Sequence, residues 1–358
     1  MTIIHTYHTC LEQTKQLRPN ERITRLRNMA WLQAGMVESK SVHLHHIARE
    51  IPGPSVTRSK EKRLSRYMQN SALRVRQWYE PEAMAILEAA AKSGGVVRLL
   101  LDGTQIGRGH QLLMVAIAYR RRAIPLVWTW VRSARGHSSA YKQCALLSHI
   151  HDRIPQGCAV FVAGDCEFGA VPVLRLLDQW QWDYALRQKG NHLWRLSQDD
   201  VWQRCDTIVD RPGQNRWLPQ IQLTQKHAYT TNLLAYWQKN ENEPWLLATN
   251  LASARETRHG YSRRAWIEEM FGDFKRHGFD LEATGLRHFE RLSRLTLAVA
   301  LLYLWLLAFG SQTIKAGKRR LVDRNDRRDR SIFRIGYDML IRCLANSEPI
   351  TIRHVPYF

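Results

Sequence analysis

Between Val96 and Arg187 the chain alternates short apolar runs with amphipathic stretches in an order that few folds accommodate. Val96-Val-Arg-Leu-Leu-Leu-Asp102 reads as a strand ending in Asp-Gly-Thr. Gly107-Arg-Gly109 turns the chain into Leu112–Ala118, and Arg120-Arg-Arg122 turns it again into Ile124–Val131. Three such runs separated by short turns predict an antiparallel meander. Ser138–Arg153 then carries helical spacing through Tyr141, Ala145, Leu146 and Ile150. Ala159–Ala163 is a fully apolar strand closed by Gly164-Asp165, Val171–Trp180 a helix, and Trp182–Arg187 a further strand. Three strands, helix, strand, helix, strand is the order of a ribonuclease-H-like core, so the expected class is α/β.

The flanks differ in texture. Residues 1–92 are expected to be helical, and their first 80 residues hold 14 Lys and Arg against six acids. Ser41–Ile51, the break at Pro52-Gly-Pro54 and the basic stretch Lys60–Met68 are compatible with a helix-turn-helix DNA reader. Two solvated helices of a bundle would leave the same pattern. Ser93-Gly-Gly95 ends the helical part. From about 192 to 258, short alternating pieces such as Trp217–Leu223 and Trp245–Thr249 suggest a β-rich insertion. The catalytic unit is therefore expected over 93–310, with a basic C-terminal segment over 311–358. Within that segment Lys315–Arg334 has nine basic residues and three Asp, suiting either a solvated loop or a second DNA contact. Leu295–Phe309, an apolar run of 15 residues, is short for a membrane span and predicts a buried core helix; no membrane association is expected.

Charge narrows the partners. Fifty-three Lys and Arg against 32 Asp and Glu leave +21, and a chain this basic suits a polyanion, above all nucleic acid. The six cysteines form no C-x-x-C pair, which excludes zinc-ribbon spacing, and their scatter suits a reducing cytoplasm. The N-terminus shows no basic-then-apolar signal pattern, and the expected location is cytoplasmic, with the nucleoid.

Asp102 and Asp165 close two runs expected to be adjacent parallel strands, and Glu268 lies on a helix returning to them. Clustered carboxylates repel one another, so such a trio suits a Mg²⁺ or Mn²⁺ site able to activate one oxygen and stabilise another in phosphodiester chemistry. Around Glu268, residues Tyr261, Arg264 and Lys275 share one stripe if the stretch is a continuous helix, with Trp266, Met270 and Phe274 on the opposite, core-facing side. The cations of that stripe suit phosphate oxygens. His110, His137 and His192 lie near these motifs and are expected to be structural.

The Tyr261–Arg264–Glu268–Lys275 spacing resembles the Y-(2)-R-(3)-E-(6)-K signature of bacterial insertion-sequence transposases of the IS-four type. The Leu-Leu-Leu-Asp102-Gly-Thr and Ala-Gly-Asp165-Cys-Glu-Phe-Gly contexts resemble that family's other two catalytic motifs, and the resemblance covers about Val96–Phe309. It implies a DDE transposase with catalytic, metal-ligating Asp102, Asp165 and Glu268, using Mg²⁺ with Mn²⁺ as a substitute. Tyr261, Arg264 and Lys275 would contact DNA, with Gly164, Thr104 and Glu167 shaping the site. The expected partners are double-stranded DNA, both terminal inverted repeats and target, held by a homodimer. The expected reaction is strand cleavage followed by strand transfer. A nuclease or resolvase without strand transfer and an inactive DNA-binding regulator are the alternatives. In relatives the β-rich insertion helps handle a flipped base, for which Trp217 and Trp245 offer a stacking surface unless both are core residues.

Overall fold

A computed structural model describes residues 2–106, 109–132 and 138–358; Gly107, Arg108 and His137 lie outside the described residues. The helical start comprises α1 (Thr2–Leu17), α2 (Ile23–Ser39), α3 (Leu44–Glu50), α4 (Thr57–Gln69) and α5 (Val75–Gly94). Gly95 ends α5 in the left-handed region, φ +66°, where a side chain would be strained. Then come β1 (Val96–Ile106), β2 (His110–Tyr119), β3 (Arg122–Arg132), α6 (Ala140–His151), β4 (Ala159–Gly164), α7 (Val171–Gln179) and β5 (Asp183–Arg187). Five more strands follow: β6 (Leu193–Arg195), β7 (Gln203–Arg204), β8 (Asn215–Leu223), β9 (Tyr229–Tyr236) and β10 (Trp245–Thr249). Four helices finish the fold: α8 (Ala254–Tyr261), α9 (Ala265–Phe274), α10 (Phe289–Lys315) and α11 (Ile332–Ala345).

Among the described residues, ten strands join one mixed sheet in the order β3-β2-β1-β4-β5-β10-β9-β8-β6-β7. The β1, β2, β3 meander is antiparallel, whereas β4 runs parallel to β1 and β5 parallel to β4. Seven consecutive buried residues in β2, Gln111–Ile117, fit a strand covered on both faces. The residues expected as an insertion extend this sheet: β10 pairs antiparallel with β5, and β9, β8 and β6 continue outward.

The helix α10 is the hub. Every residue from Leu295 to Gly310 is buried, so the helix has no wet face over that stretch. Its length and composition would let it cross a membrane, yet 94% of its apolar window is buried within the protein. The helices α2, α4, α5 and α11 and the strand β3 cover it. Polar bonds fix the orientation. Arg294, only 6% exposed, donates to the carbonyls of Met68 (2.9 Å) and Leu73 (3.3 Å), and Trp130 Nε1 donates to Thr296 Oγ1 at 3.1 Å. One hydrophobic core thus runs from Tyr7 to Ile352, across both 92/93 and 310/311.

The α10–α11 crossing is close because glycine permits it. A Cβ on Gly336 would sit 1.9 Å from the Leu306 carbonyl oxygen, and one on Gly310 would sit 2.2 Å from that of Ile332. Backbone cannot step aside as a side-chain tip can, so Gly336→Ala must spread the two helices. Overpacking of this kind costs about 1–3 kcal/mol or more, read as a lower urea midpoint at unchanged m-value.

Candidate active site

The parallel ladder of β1 on β4 ends with Leu101 opposite Gly164. Asp102 and Asp165 are the next residue on each chain, so the topology sets two carboxylates side by side. Asp102 does not end its strand, as the sequence suggested. The strand continues to Ile106, paired only with β2, and Asp102 lies where the parallel partner leaves. A Cβ on Gly164 would come within 3.0 Å of Phe168 and 3.1 Å of Leu186, so the approach to Asp165 is tightly packed.

The third carboxylate arrives differently from expectation. Tyr261 closes α8, Ser262–Arg264 form a 3-10 turn, and Glu268 lies in the first turn of α9. The presumed continuous helix is therefore broken between Tyr261 and Ala265. The core face of α9 is Ile267, Met270, Phe271 and Phe274; Trp266 is only half-buried. Lys275 follows the helix with backbone that is neither helical nor extended (ψ −134°) and pairs with Glu282 at 3.1 Å, apart from the Arg264 and Glu268 pairing.

Arg264 stands between the acids. Its Nη1 is 3.4 Å from Asp102 Oδ2, and its Nη2 donates to Glu268 Oε1. Burial pushes the Asp102 carboxyl up to about 7, opposed by Arg264 and by the Gly103 N–H at 2.7 Å, and reinforced by Glu268 and Asp165. The Arg264 guanidinium is held above its usual range although burial opposes it, because Tyr261, Asp102, Glu268 and Asp165 all favour its charged form. Tyr261 is 2% exposed and packs edge-on against Trp245, 4.9 Å between ring centroids. Burial raises its phenol well above the usual value. Tyr261, Arg264, Glu268, Asp102 and Asp165 therefore share one electrostatic neighbourhood, and Lys275 stands outside it.

Whether a divalent ion suits this trio is a matter of donor chemistry. All three offer hard carboxylate oxygens, which Mg²⁺ and Mn²⁺ prefer. Asp165 Oδ1 is buried without a hydrogen-bond donor, its nearest cation being Arg187 Nη1 at 3.9 Å. A carboxylate oxygen left without a donor is chemically disposed to accept a cation. As the side chains stand, no three His, Cys, Asp or Glu among the described residues are grouped to hold an ion; Arg264 intervenes.

Glu167, expected to shape the site, braces this arrangement together with residues that sequence inspection did not single out. Glu167, on the loop after Asp165, accepts from the Ser138 N–H (2.5 Å), the Ser138 hydroxyl and Gln111 Nε2 (2.9 Å). Gln143 Nε2 donates to the Glu167 carbonyl at 3.0 Å. The loop is thereby tied to β2 and to the start of α6. A glutamine directly before the apolar run of β2 was the available signal for Gln111. Arg187, at the end of β5, had none. A Cβ on Gly169 would lie 2.4 Å from the Arg187 carbonyl oxygen, so loop and strand end are in close contact. Thr104, in the part of β1 paired only with β2, stands opposite Leu112. The histidines are bound structurally: His110 Nε2 to the Arg287 carbonyl and His192 Nδ1 to Gln188 Oε1, each at 3.0 Å.

Two cavities flank the centre. One, of about 690 Å³, is lined by Tyr236, Trp245, Arg255, Arg258 and His259 next to Tyr261. Arg258 stands over the Tyr236 ring, 5.1 Å from its centroid. Trp217 packs against the core and does not line this cavity. The second, of about 950 Å³, lies beyond Trp266 and Glu269 of α9.

Residues 97–305 match the family model described as the transposase DDE domain. No curated protein matches the chain. Among solved structures, the chain is similar to the piggyBac transposase synaptic complex with hairpin DNA, determined by cryo-EM. Identity is 9%, 96% of this chain and 78% of that one are covered, and the TM-score is 0.42, too low to bear on the fold or the activity.

The bracing network makes its own prediction. Glu167→Ala removes the acceptor of the Ser138 N–H and of the Gln111 amide. Leaving buried donors unmatched costs about 1–3 kcal/mol, measurable by urea unfolding. Chemistry should fall further than stability, because the loop that carries Asp165 loses its tether.

Proposed function

Because the chain belongs to the transposase DDE domain family, we propose that it is a DNA transposase of the IS-four type, which binds terminal inverted repeats and carries out cut-and-paste transposition. The observation that carries this reading is the gathering of Asp102, Asp165 and Glu268 in one electrostatic neighbourhood around Arg264. The strand order β3-β2-β1-β4-β5, with helices between the parallel strands, supports a ribonuclease-H-like core.

In this reading Asp102, Asp165 and Glu268 hold Mg²⁺, with Mn²⁺ as a substitute. The bound ion supplies activation of the attacking oxygen and stabilisation of the leaving one. In cleavage a water oxygen bonds to phosphorus, the P–O3′ bond breaks, and the departing oxygen becomes a 3′-hydroxyl. In transfer that hydroxyl oxygen bonds to a target phosphorus, and the target's own P–O3′ bond breaks. Arg264 exchanges its carboxylate partners for phosphate oxygens, which its planar fork suits. Arg187 stands beside Asp165, and Tyr261 lies buried behind the acids. Lys275, beyond α9, meets the backbone farther along as a point charge. Tyr236 and Trp245 with Arg258 offer a face on which a base beside the cut can stack.

The helical start takes the terminal repeats. A groove of about 290 Å³ between α2 and α4, lined by Arg22, Arg25, Arg63 and Arg66, supports this. Two ends must be held at once, so the working form is a homodimer on DNA, in the bacterial cytoplasm with the nucleoid.

Glu268→Gln keeps side-chain shape and removes a ligand charge. It should leave DNA affinity within twofold of wild type and reduce Mg²⁺-dependent nicking of end-bearing DNA at least 100-fold, read on a sequencing gel. Cleavage at the wild-type rate would sink the assignment. Lys275→Ala should instead weaken the complex and flatten its salt dependence by about one counterion, measured by fluorescence anisotropy across 50–200 mM salt.

A further inference from the structure

Where β2 turns into β3, Tyr119 pairs with Arg122, leaving Arg120 and Arg121 as a two-residue hairpin turn. Both have positive φ, +44° and +62°. Turns of that geometry favour Asn-Gly, because side chains with a Cβ pay in strain for left-handed backbone. Two adjacent arginines there run against local preference, and such residues persist where something other than stability keeps them.

The strain has a counterpart across the cavity beyond α9. Arg328 is also left-handed, φ +44°, and its carbonyl is held by Arg319 at 3.0 Å. Arg120, Arg121, Arg319, Arg327, Arg328 and Arg330 all line this groove of about 950 Å³. Arg319, Arg327 and Arg330 are ion-paired with Asp323, Asp329 and Asp338. Among the described residues, Arg120, Arg121 and Arg328 form no ion pair, and all three are exposed. The three arginines without carboxylate partners are thus the three in left-handed backbone. Beneath them Arg122 is fixed by Asp273 (2.7 Å) and Glu269 (3.0 Å) of α9, the helix that carries Glu268.

We propose that this groove is a second duplex-binding track, in which Arg120, Arg121 and Arg328 grip the phosphate backbone of DNA passing on the far side of α9 from Asp102. This deepens the transposase reading and rests on it for the identity of the polyanion. Unpaired guanidiniums on both walls match a row of phosphates better than a compact ligand. Contacts made to phosphate oxygens carry no base information, so the grip is blind to sequence. The duplex has two possible sources, the element's own flank or the target.

The test uses the full chain carrying Arg120→Asn with Arg121→Gly, which installs the residue pair the turn prefers. A charge-matched control carries Lys226→Gln with Lys239→Gln, both exposed and away from the groove. The turn variant should melt at a temperature equal to or above wild type. It should bind a fluorescein-labelled 30-base-pair duplex at least fivefold more weakly, with a salt slope smaller by about two, whereas the control changes affinity less than twofold. A purely structural role for the arginines predicts the opposite combination, lower stability and unchanged slope. Unchanged affinity and slope in the turn variant overturns the proposal.

Two activity arms locate the duplex, and each supports the track. Loss of strand transfer by a pre-cut end into plasmid, with end cleavage retained, assigns it to target DNA. Loss of end cleavage assigns it to the flank. The transposase reading fails separately: a wild-type chain that never cuts DNA refutes it, while weaker duplex binding by the turn variant still upholds the groove.

Discussion

Along Leu295–Gly310 the helix α10 exposes no side chain to water, and that single constraint organises the molecule. A helix apolar all round must be covered all round. Here the cover comes from the helices of the first 94 residues, from α11 and from the meander strand β3. Arg294 adds direction, because a buried guanidinium with two backbone carbonyls as acceptors tolerates only one seating of the α4–α5 junction. The glycines at the α10–α11 crossing do the same on the other side by contact distance. The site then inherits its rigidity: β3 packs against α10, β1 and β2 pair with β3's meander, and α9 packs across all three strands.

Charge balance at the centre follows from that packing. Two carboxylates set side by side by strand pairing and a third carried in by α9 would repel one another, and the guanidinium of Arg264 offsets two of them directly. The 3-10 turn explains how it gets there. Breaking the helix at Ser262–Arg264 lets Tyr261 face inward against Trp245, while Arg264 reaches both β1 and the first turn of α9. A straight helix would present the three residues as one flat stripe. The bend wraps them around the strand ends instead.

Much of this was legible in the residues. The runs from Val96 to Arg187 were readable because strands covered on both faces are continuously apolar and their turns carry Gly, Arg and Asp. Asp102 and Asp165 stood out for the same reason, each a lone charge at the end of such a run. The apolar stretch within α10 was equally plain. What was not legible depends on long-range pairing. Nothing local says that β10 adds to β5, so the way residues 192–258 join the sheet could not be read from the sequence. The break after Tyr261 was hidden because the stretch through Phe274 keeps a helical period on both sides of the turn. The Glu167, Ser138 and Gln143 bonds join residues 24 to 29 positions apart and become visible only in three dimensions.

The covering of α10 also has a consequence in time. During synthesis α1–α5 leave the ribosome long before Phe289 is translated. At roughly 5–20 residues per second, the early helices wait on the order of ten seconds or longer for the surface they must pack on. Until then the faces they turn to α10 have no native partner and Arg294 has not yet been made. The nascent amino-terminal segment is therefore a natural client for chaperones. The early helices reach their full native packing only once the carboxy-terminal half has emerged.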